Sequence, residues 1–305
     1  MSARSDFISR IKYLNVALNS PDAINVGLGN SEHNGAANLI RKGLGIVAFN
    51  ILEDFIKAKS SEALDSIAAS GIAYSNLPPK LQEATTLGAL KALAFRAQIE
   101  KRDGGDWMGM IHSETEHIHS TSLQPFSLSK YSFASEKPNV GSQDISDLLK
   151  AFEISKGWDR LKEVSDNILG GVPNLSDAYK NAADRRHNAA HSTDFEYEHS
   201  WLSNIEGELI SIAASIDILL TALCREVDKN IVLKLNQHNL TNALKYRFLV
   251  FESNVYKEKL NINSNSIKNW STLEDAVNYL QPKLVTREEF LIVHNASGRV
   301  VNWYT

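Results

Sequence analysis

Apolar residues recur three and four apart through most of the first 230 positions, the spacing that gathers them on one face of a helix. Phe7, Ile11, Leu14 and Leu18 predict a helix over residues 3–18. Residues 21–34, rich in Gly, Asn and Ser, read as a loop. A helix over about 35–58 follows, with Leu44, Val47, Ala48, Ile51, Leu52 and Phe55 as its inner stripe. Gly43 and Gly45 inside it mark a closely packed neighbour or a small kink. A short helix is expected over 61–70. Pro78-Pro79 opens another, to about residue 100, because proline is tolerated in a first turn.

The periodicity then fails. Residues 101–142 hold Gly104-Gly105, Pro125, Pro138 and many serines, and are expected to form a long surface insertion with little regular structure. Helices resume at about 143–156, 158–168 and 175–190, the last with Asn174 as N-cap. The cleanest stripe, Leu202, Ile205, Leu209, Ile212, Ile216, Leu219, Leu223 and Val227, predicts a helix over 201–229, with Ser203 and Glu206 at capping-box spacing near its start. Beyond Asn230 the character changes. Phe248–Phe251 has strand composition, Ser271 and Glu274 cap a short helix over 272–281, and Phe290–Tyr304 reads as a β-hairpin around Asn295–Gly298. The expected organisation is a mostly α-helical bundle over 1–230 and a small mixed α/β appendage over 231–305.

On the helix 175–190, a turn of about 100° per residue places Arg186 in the middle of the stripe formed by Leu175, Tyr179, Ala182 and Ala189. A guanidinium on an inner face is costly unless it has a partner or a task. His187 and His191 flank that stripe. In an unbroken helix Arg186 and His191 stand about 140° apart. They meet at one substrate only through the long arginine side chain, a bend near Ala190, or a second copy of the helix.

Composition narrows the class. The 305 residues, 43% hydrophobic and 22% charged, are enough for a sizeable core. The net charge of −4 divides as +1 over residues 1–100, −8 over 101–230 and +3 over 231–305, which is not the footprint of a general nucleic-acid binder. The single cysteine, Cys224, excludes an internal disulfide and fits a small buried residue in a reducing compartment. The N-terminus lacks the apolar core of a signal peptide, and Ser211, Ser215 and Asp217 interrupt the longest apolar stretch, so a cytoplasmic protein without a membrane span is expected.

The run Arg185-Arg186-His187-Asn188-Ala189-Ala190-His191 resembles the signature of the HEPN family: an arginine, a polar residue, and a histidine a few positions on, near a helix end and before a long apolar helix. The resemblance covers roughly residues 1–230, with 101–142 as a departure. It implies an antiparallel helical bundle and a metal-independent endoribonuclease, homodimeric, that makes 2′,3′-cyclic phosphate and 5′-OH ends. By the same resemblance His191 is the proton-transfer residue, Arg186 the phosphate clamp, His187 and Asn188 polar supports and Arg185 a peripheral phosphate contact. RNA is the implied partner and no cofactor is implied. A role as a toxin or in anti-phage defence, with an antitoxin or regulatory chain as partner, is implied by resemblance alone. The rival within the family is a non-catalytic dimeric binding module, which the acidic middle region favours.

Other chemistry has less behind it. Asp184, His187 and His191 have spacing compatible with metal ligands, but such triples are common by chance. His112, Glu114, Glu116, His117 and His119 form a denser cluster without metalloprotease spacing, read as a solvated loop or, in the rival reading, as the site of a metal-dependent hydrolase. Gly27-Leu28-Gly29-Asn30 is too short for a phosphate loop, and no Gly-x-Ser-x-Gly elbow exists. Lys245, Arg247, Lys257, Lys259 and Lys268, with Trp270, Trp303 and Tyr304, form either an RNA-holding surface or a solvated face with core aromatics.

Overall fold

A computed structural model describes residues 2–27, 29–133, 135, 139–230 and 241–305. The chain is mostly helical, with a small mixed sheet at its C-terminal end. It divides into two compact units, one of Met1–Leu52, Leu161–Ile218 and Thr241–Thr305, the other of Glu53–Arg160 and Leu219–Leu240. Helix α1 (Ala3–Leu18) buries Phe7, Ile11, Leu14 and Leu18, the stripe its spacing predicts. Helix α2 is longer than expected, running from Ser31 to Ala69 without a break. Ser60 does not interrupt it because its hydroxyl donates to the Ile56 carbonyl at 2.7 Å, within its own helix. Val47, expected inside, is exposed, while Phe49 is buried in its place.

The helix expected to start at Pro78 forms as α3 (Pro79–Glu83), a π-helical turn (Ala84–Gly88) and α4 (Ala89–Arg102). Thr85 and Thr86 donate their hydroxyls to the carbonyls of Leu81 and Gln82 at 2.8 and 2.6 Å, at the widened turn. The stretch 101–142 is not irregular throughout, as its composition predicts. Helix α5 occupies Trp107–Ser120, capped by Asp106, which accepts from the Gly109 N–H at 2.9 Å. Its inner face carries Glu114 in place of an apolar residue, which hides the helix from a hydrophobic pattern. Glu114 accepts from Ser129 Oγ at 2.5 Å. Pro138 lies outside the described residues. Helices α6 (Ser142–Ala151) and α7 (Gly157–Asn167) follow, then α8 (Leu175–His191) and α9 (His199–Asn230). Since α9 begins at His199, Ser203 is not its cap; its hydroxyl donates to the His199 carbonyl at 2.8 Å. The most apolar window of α9 has a mean hydropathy of 1.7 and is 83% buried within the protein.

The sheet has the order β3-β2-β1-β4-β5, with β1 (Lys245–Glu252), β2 (Val255–Lys259), β3 (Lys268–Trp270), β4 (Glu289–His294) and β5 (Val300–Tyr304). β1 and β4 are parallel, with Phe248 opposite Ile292, and the other pairs are antiparallel. The expected hairpin is β4–β5; β2 and β3 are too short and polar to announce themselves. Helix α10 (Leu273–Leu280), capped by Thr272 instead of Ser271, and the short α11 (Leu284–Arg287) cover one face through Leu249, Leu280, Leu284, Leu291 and Val293. The sheet shares a unit with residues 1–52 and 161–218. Residues 231–240, at the expected boundary, lie outside the described ones.

Named contacts tie the sheet to helices of its unit. The fully buried Trp303 donates from Nε1 to Asp217 on α9 at 2.7 Å, and its ring lies 6.0 Å from that of Phe7. Asp217, which breaks the apolar run of α9, is thus the acceptor for an indole that would otherwise be buried unpaired. Arg247 bridges Glu258 at 2.8 Å and Glu289 at 2.6 Å in the interior, and its partners hold its guanidinium charged against desolvation. Lys245 pairs with Glu288, while Lys257 and Lys259 pair with Glu252. The basic residues of this region are therefore largely engaged with carboxylates, and Trp270 and Trp303 are core residues.

His294 on β4 is fully buried, with Nε2 2.9 Å from the Ile168 carbonyl and Nδ1 unpartnered. Nε2 therefore carries the proton of a neutral ring, and charging the ring would put a second buried N–H where no acceptor stands. Burial lowers this histidine below the ordinary 6.5, although the Ile168 carbonyl opposes the shift. The unfolded chain thus takes up a proton as pH falls below 6.5 while the folded chain resists it, so stability is lost on that descent. Denaturant titrations across this window are expected to show His294→Gln with a flatter acid slope than wild type.

Candidate functional site

Helix α8 starts where Asn174 accepts from the Asp177 N–H at 3.1 Å and ends at Ser192, whose N–H donates to the Asn188 carbonyl at 2.9 Å. Leu175, Ala178, Tyr179 and Ala182 are buried on its inner face, with the Tyr179 ring 5.3 Å from Phe49 of α2. One turn further along that face comes Arg186, half-buried, its Nε enclosed without a hydrogen-bond partner. The aliphatic stem continues the apolar stripe. His187, Asn188 and His191 are exposed, and the two imidazole centroids lie 4.7 Å apart. The helix runs unbroken through Ala190 to His191, so a bend there does not bring Arg186 and His191 together. Asp184 is exposed and joins no metal-binding group; none of three or more His, Cys, Asp or Glu exists among the described residues.

Four residues of α2 hold the chain that leaves the motif. Lys42, buried, donates from Nζ to the carbonyls of Ser192 and Thr193 at 3.0 and 2.9 Å. Asn38 donates to the Phe195 carbonyl at 3.3 Å and accepts from the Tyr197 N–H at 2.8 Å. Arg41 donates from Nε to the Tyr197 carbonyl at 2.6 Å and from Nη1 to the Ala23 carbonyl at 2.8 Å. Burial depresses Arg41, with Glu196 pulling the other way. Gly45 completes the set: a side chain there would overlap the Tyr197 ring. Of these, sequence reading singles out only Gly45. The charged pair Arg41-Lys42, set within an apolar helix, is the signal that it passes over.

Beneath the motif lies a polar group that the spacing does not reveal. The Arg185 guanidinium sits 3.7 Å from the centroid of the Trp201 ring. Arg185 Nη1, Tyr197 Oη and Glu208 Oε2 are each buried without a hydrogen-bond partner. Desolvation raises Tyr197 and Glu208 above their ordinary ranges, and Arg185 opposes both shifts. Arg185 therefore faces inward, toward a ring and a carboxylate, while His187 and His191 face solvent.

The second cluster, on α5, is dispersed around the helix. Glu114 points inward, His117 Nδ1 lies 2.8 Å from Ser127 Oγ, and His112, Glu116 and His119 are exposed. Gly27 and Gly29 lie in the loop before α2; Leu28 between them lies outside the described residues. Cys224 is buried, its sulfur 3.7 Å from the Ala63 carbonyl.

A helical chain that carries an arginine, a polar residue and a histidine at the end of one helix, ahead of a long apolar one, has the architecture of a HEPN domain. The RiboL-PSP-HEPN family model matches residues 5–222, and the chain belongs to that family. No curated protein and no solved structure gives a significant match. HEPN domains commonly bind RNA and dimerise, and membership ties the chain to RNA-related, nuclease-type function.

The Gly45–Tyr197 contact predicts opposite effects at two neighbouring glycines. Gly43→Ala, where the new methyl meets nothing within 4 Å, should stabilise by ~0.5–1 kcal/mol through helix propensity. Gly45→Ala receives the same gain but should lose ~1–3 kcal/mol to overpacking. Thermal melts of the two variants beside wild type measure the difference.

Proposed function

We propose that the chain is a metal-independent endoribonuclease, acting as a cytoplasmic homodimer on RNA, with Arg186 and His191 as its catalytic pair. The observation that carries this is the end of α8: two exposed imidazoles beside an arginine whose stem is buried, on a turn fixed by Lys42 and Asn38. His191 takes the proton of a ribose 2′-OH, whose oxygen attacks the adjacent phosphorus. The P–O5′ bond breaks, leaving a 2′,3′-cyclic phosphate, and the 5′-oxygen departs as a hydroxyl on taking a proton from a protonated histidine of the site. Arg186 offers its N–H groups to the phosphate oxygens, where charge builds in the transition state. His187 and Asn188 flank the site as polar supports. In the unbroken helix the two catalytic side chains diverge by about 140°, which a second copy of α8 across a two-fold axis overcomes. Arg185, stacked on Trp201 and turned inward, supports the motif from beneath and is not the peripheral phosphate contact that the resemblance implies.

A non-catalytic RNA- or protein-binding dimer is the second reading, favoured by the net charge of −8 over residues 101–230. A toxin or anti-phage role, restrained by an antitoxin or regulatory chain, fits the first reading.

Incubation of total cellular RNA with the protein in EDTA separates the two. Wild type should yield discrete fragments ending in cyclic phosphate. Arg186→Ala and His191→Ala should each reduce the rate by roughly 10²–10⁴-fold, the usual contribution of a positioned proton-transfer group, with unchanged melting temperature. An inert wild type that still retains RNA on a filter points to the binding module; full activity of His191→Ala removes that residue from the mechanism.

A further inference from the structure

The α8 motif lies in the stretch of chain with a net charge of −8, so drawing a polyanion toward it needs positive charge from elsewhere. Residues 231–305 carry +3, and the sheet they form shares a compact unit with α8. Lys245, Arg247, Lys257 and Lys259 are engaged with carboxylates. Lys268, Lys283 and Arg287 differ: none makes an ion pair with a described carboxylate. These three gather around one tyrosine. Tyr279, on α10, is 48% exposed. Lys283 Nζ lies 2.9 Å from the centroid of its ring and Lys268 Nζ 4.7 Å. Lys268 Nζ also lies 3.5 Å from the Trp270 centroid, between two rings 5.1 Å apart. Arg287, four residues beyond Lys283, lies one turn further along the same side of α11. The Tyr279 hydroxyl is accordingly held below the ordinary tyrosine range, by Lys283 first and by Lys268 and Arg287 after it. The neighbouring carboxylates are engaged elsewhere. Both oxygens of Glu258, opposite Lys268, are taken by Arg247 and Trp270, and Asp275 accepts from Thr272.

Three like charges without a counter-charge repel one another, and a polyanion is the partner that relieves all three. An ammonium resting on an exposed ring is held weakly, and a phosphate oxygen, carrying full charge, displaces the ring as its partner. Once Lys283 moves to a phosphate, the face of Tyr279 is open to a base, and such stacking accepts any base. A duplex keeps its bases stacked on one another, so the ring suits a single strand. We infer that Lys268, Tyr279, Lys283 and Arg287 form a holding surface for single-stranded RNA, with phosphates on the three cations and a base on the tyrosine. The surface lies outside the residues that match the family. It rests on the proposed function only for the choice of RNA, and holding does not require that α8 cleave.

The test is fluorescence anisotropy of the full chain with a labelled 2′-O-methyl oligouridine, whose blocked 2′-oxygen cannot attack, so holding is read without cleavage. Wild type should bind at low salt, with log affinity falling linearly with log salt. The triple variant Lys268→Gln/Lys283→Gln/Arg287→Gln should bind roughly tenfold or more weakly and lower the salt slope by about 2, at about 0.7 for each phosphate contact to a single strand. Tyr279→Ala should weaken binding roughly fivefold or more with the slope unchanged, since it removes a stacking ring and no charge. Lys245→Gln/Lys257→Gln, which removes two paired cations, should keep the wild-type slope. Lys268, Tyr279 and Arg287 are exposed and Lys283 partly so, and the variants should melt with wild type. If the triple variant melts early, the single substitutions carry the same test, each lowering the slope by about 0.7. Wild-type affinity and slope in the triple variant overturn the inference, as does no binding by wild type up to about 1 mM protein. Binding of poly-glutamate in place of the oligonucleotide gives the surface to an acidic protein and overturns it too. A wild type that shows this binding and leaves total RNA intact supports the inference and sinks the nuclease reading alone.

Discussion

The proposed functional end of α8 depends on how α2 grips the backbone from Ser192 to Tyr197. A helix terminus leaves carbonyls without intrahelical partners, and a short link between two helices has few contacts of its own. Here a buried lysine takes two of those carbonyls, a buried arginine takes a third, and an asparagine pairs with the strand-like segment on both sides. Each donor loses solvation on burial, so its removal leaves unsatisfied carbonyls as well as a missing bond. The grip requires close approach, and the approach requires Gly45, because the Tyr197 ring occupies the space a Cβ would take. The path of the chain after His191 follows from this packing.

The same grip separates two kinds of polar residue within seven positions. Arg185 is drawn inward by the Trp201 ring and by Glu208, whereas His187 and His191 have no inward partner and stay at the surface. Arg186 lies between these conditions, with a buried stem and an enclosed Nε. A guanidinium so placed has lost part of its hydration and few of its rotamers remain, which favours a phosphate as the replacement for water. Elsewhere buried polar groups are paired, as with Trp303 and Asp217 or Arg247 and its two glutamates, or left with one unpaired atom, as with His294 Nδ1. Around α8 four such atoms gather, on Arg185, Arg186, Tyr197 and Glu208.

The helical part was legible because its stripes repeat over many turns. Leu202 to Val227 could belong to nothing but a buried helix face, and the motif could be placed on α8 by its cap and its apolar spacing. The C-terminal hairpin was legible for the same reason, with a turn of Asn, Ser and Gly between two runs of strand formers. Helix α5 was not, because its inner position is Glu114, and a carboxylate looks inward only once Ser129 is known to meet it. Nor were β2 and β3, short and largely polar, which are held by pairing, β2 along β1 and β3 along β2.

By itself, then, the sequence determined most of the helical segments, the run of residues proposed to carry the chemistry and the family to which the chain belongs, since all three rest on local spacing. Tertiary structure alone decided that Lys42 and Arg41 serve the turn after His191 and that Arg185 faces inward. Those pairings join positions tens to more than a hundred residues apart, and a contact at that separation leaves no period in the chain from which to read it.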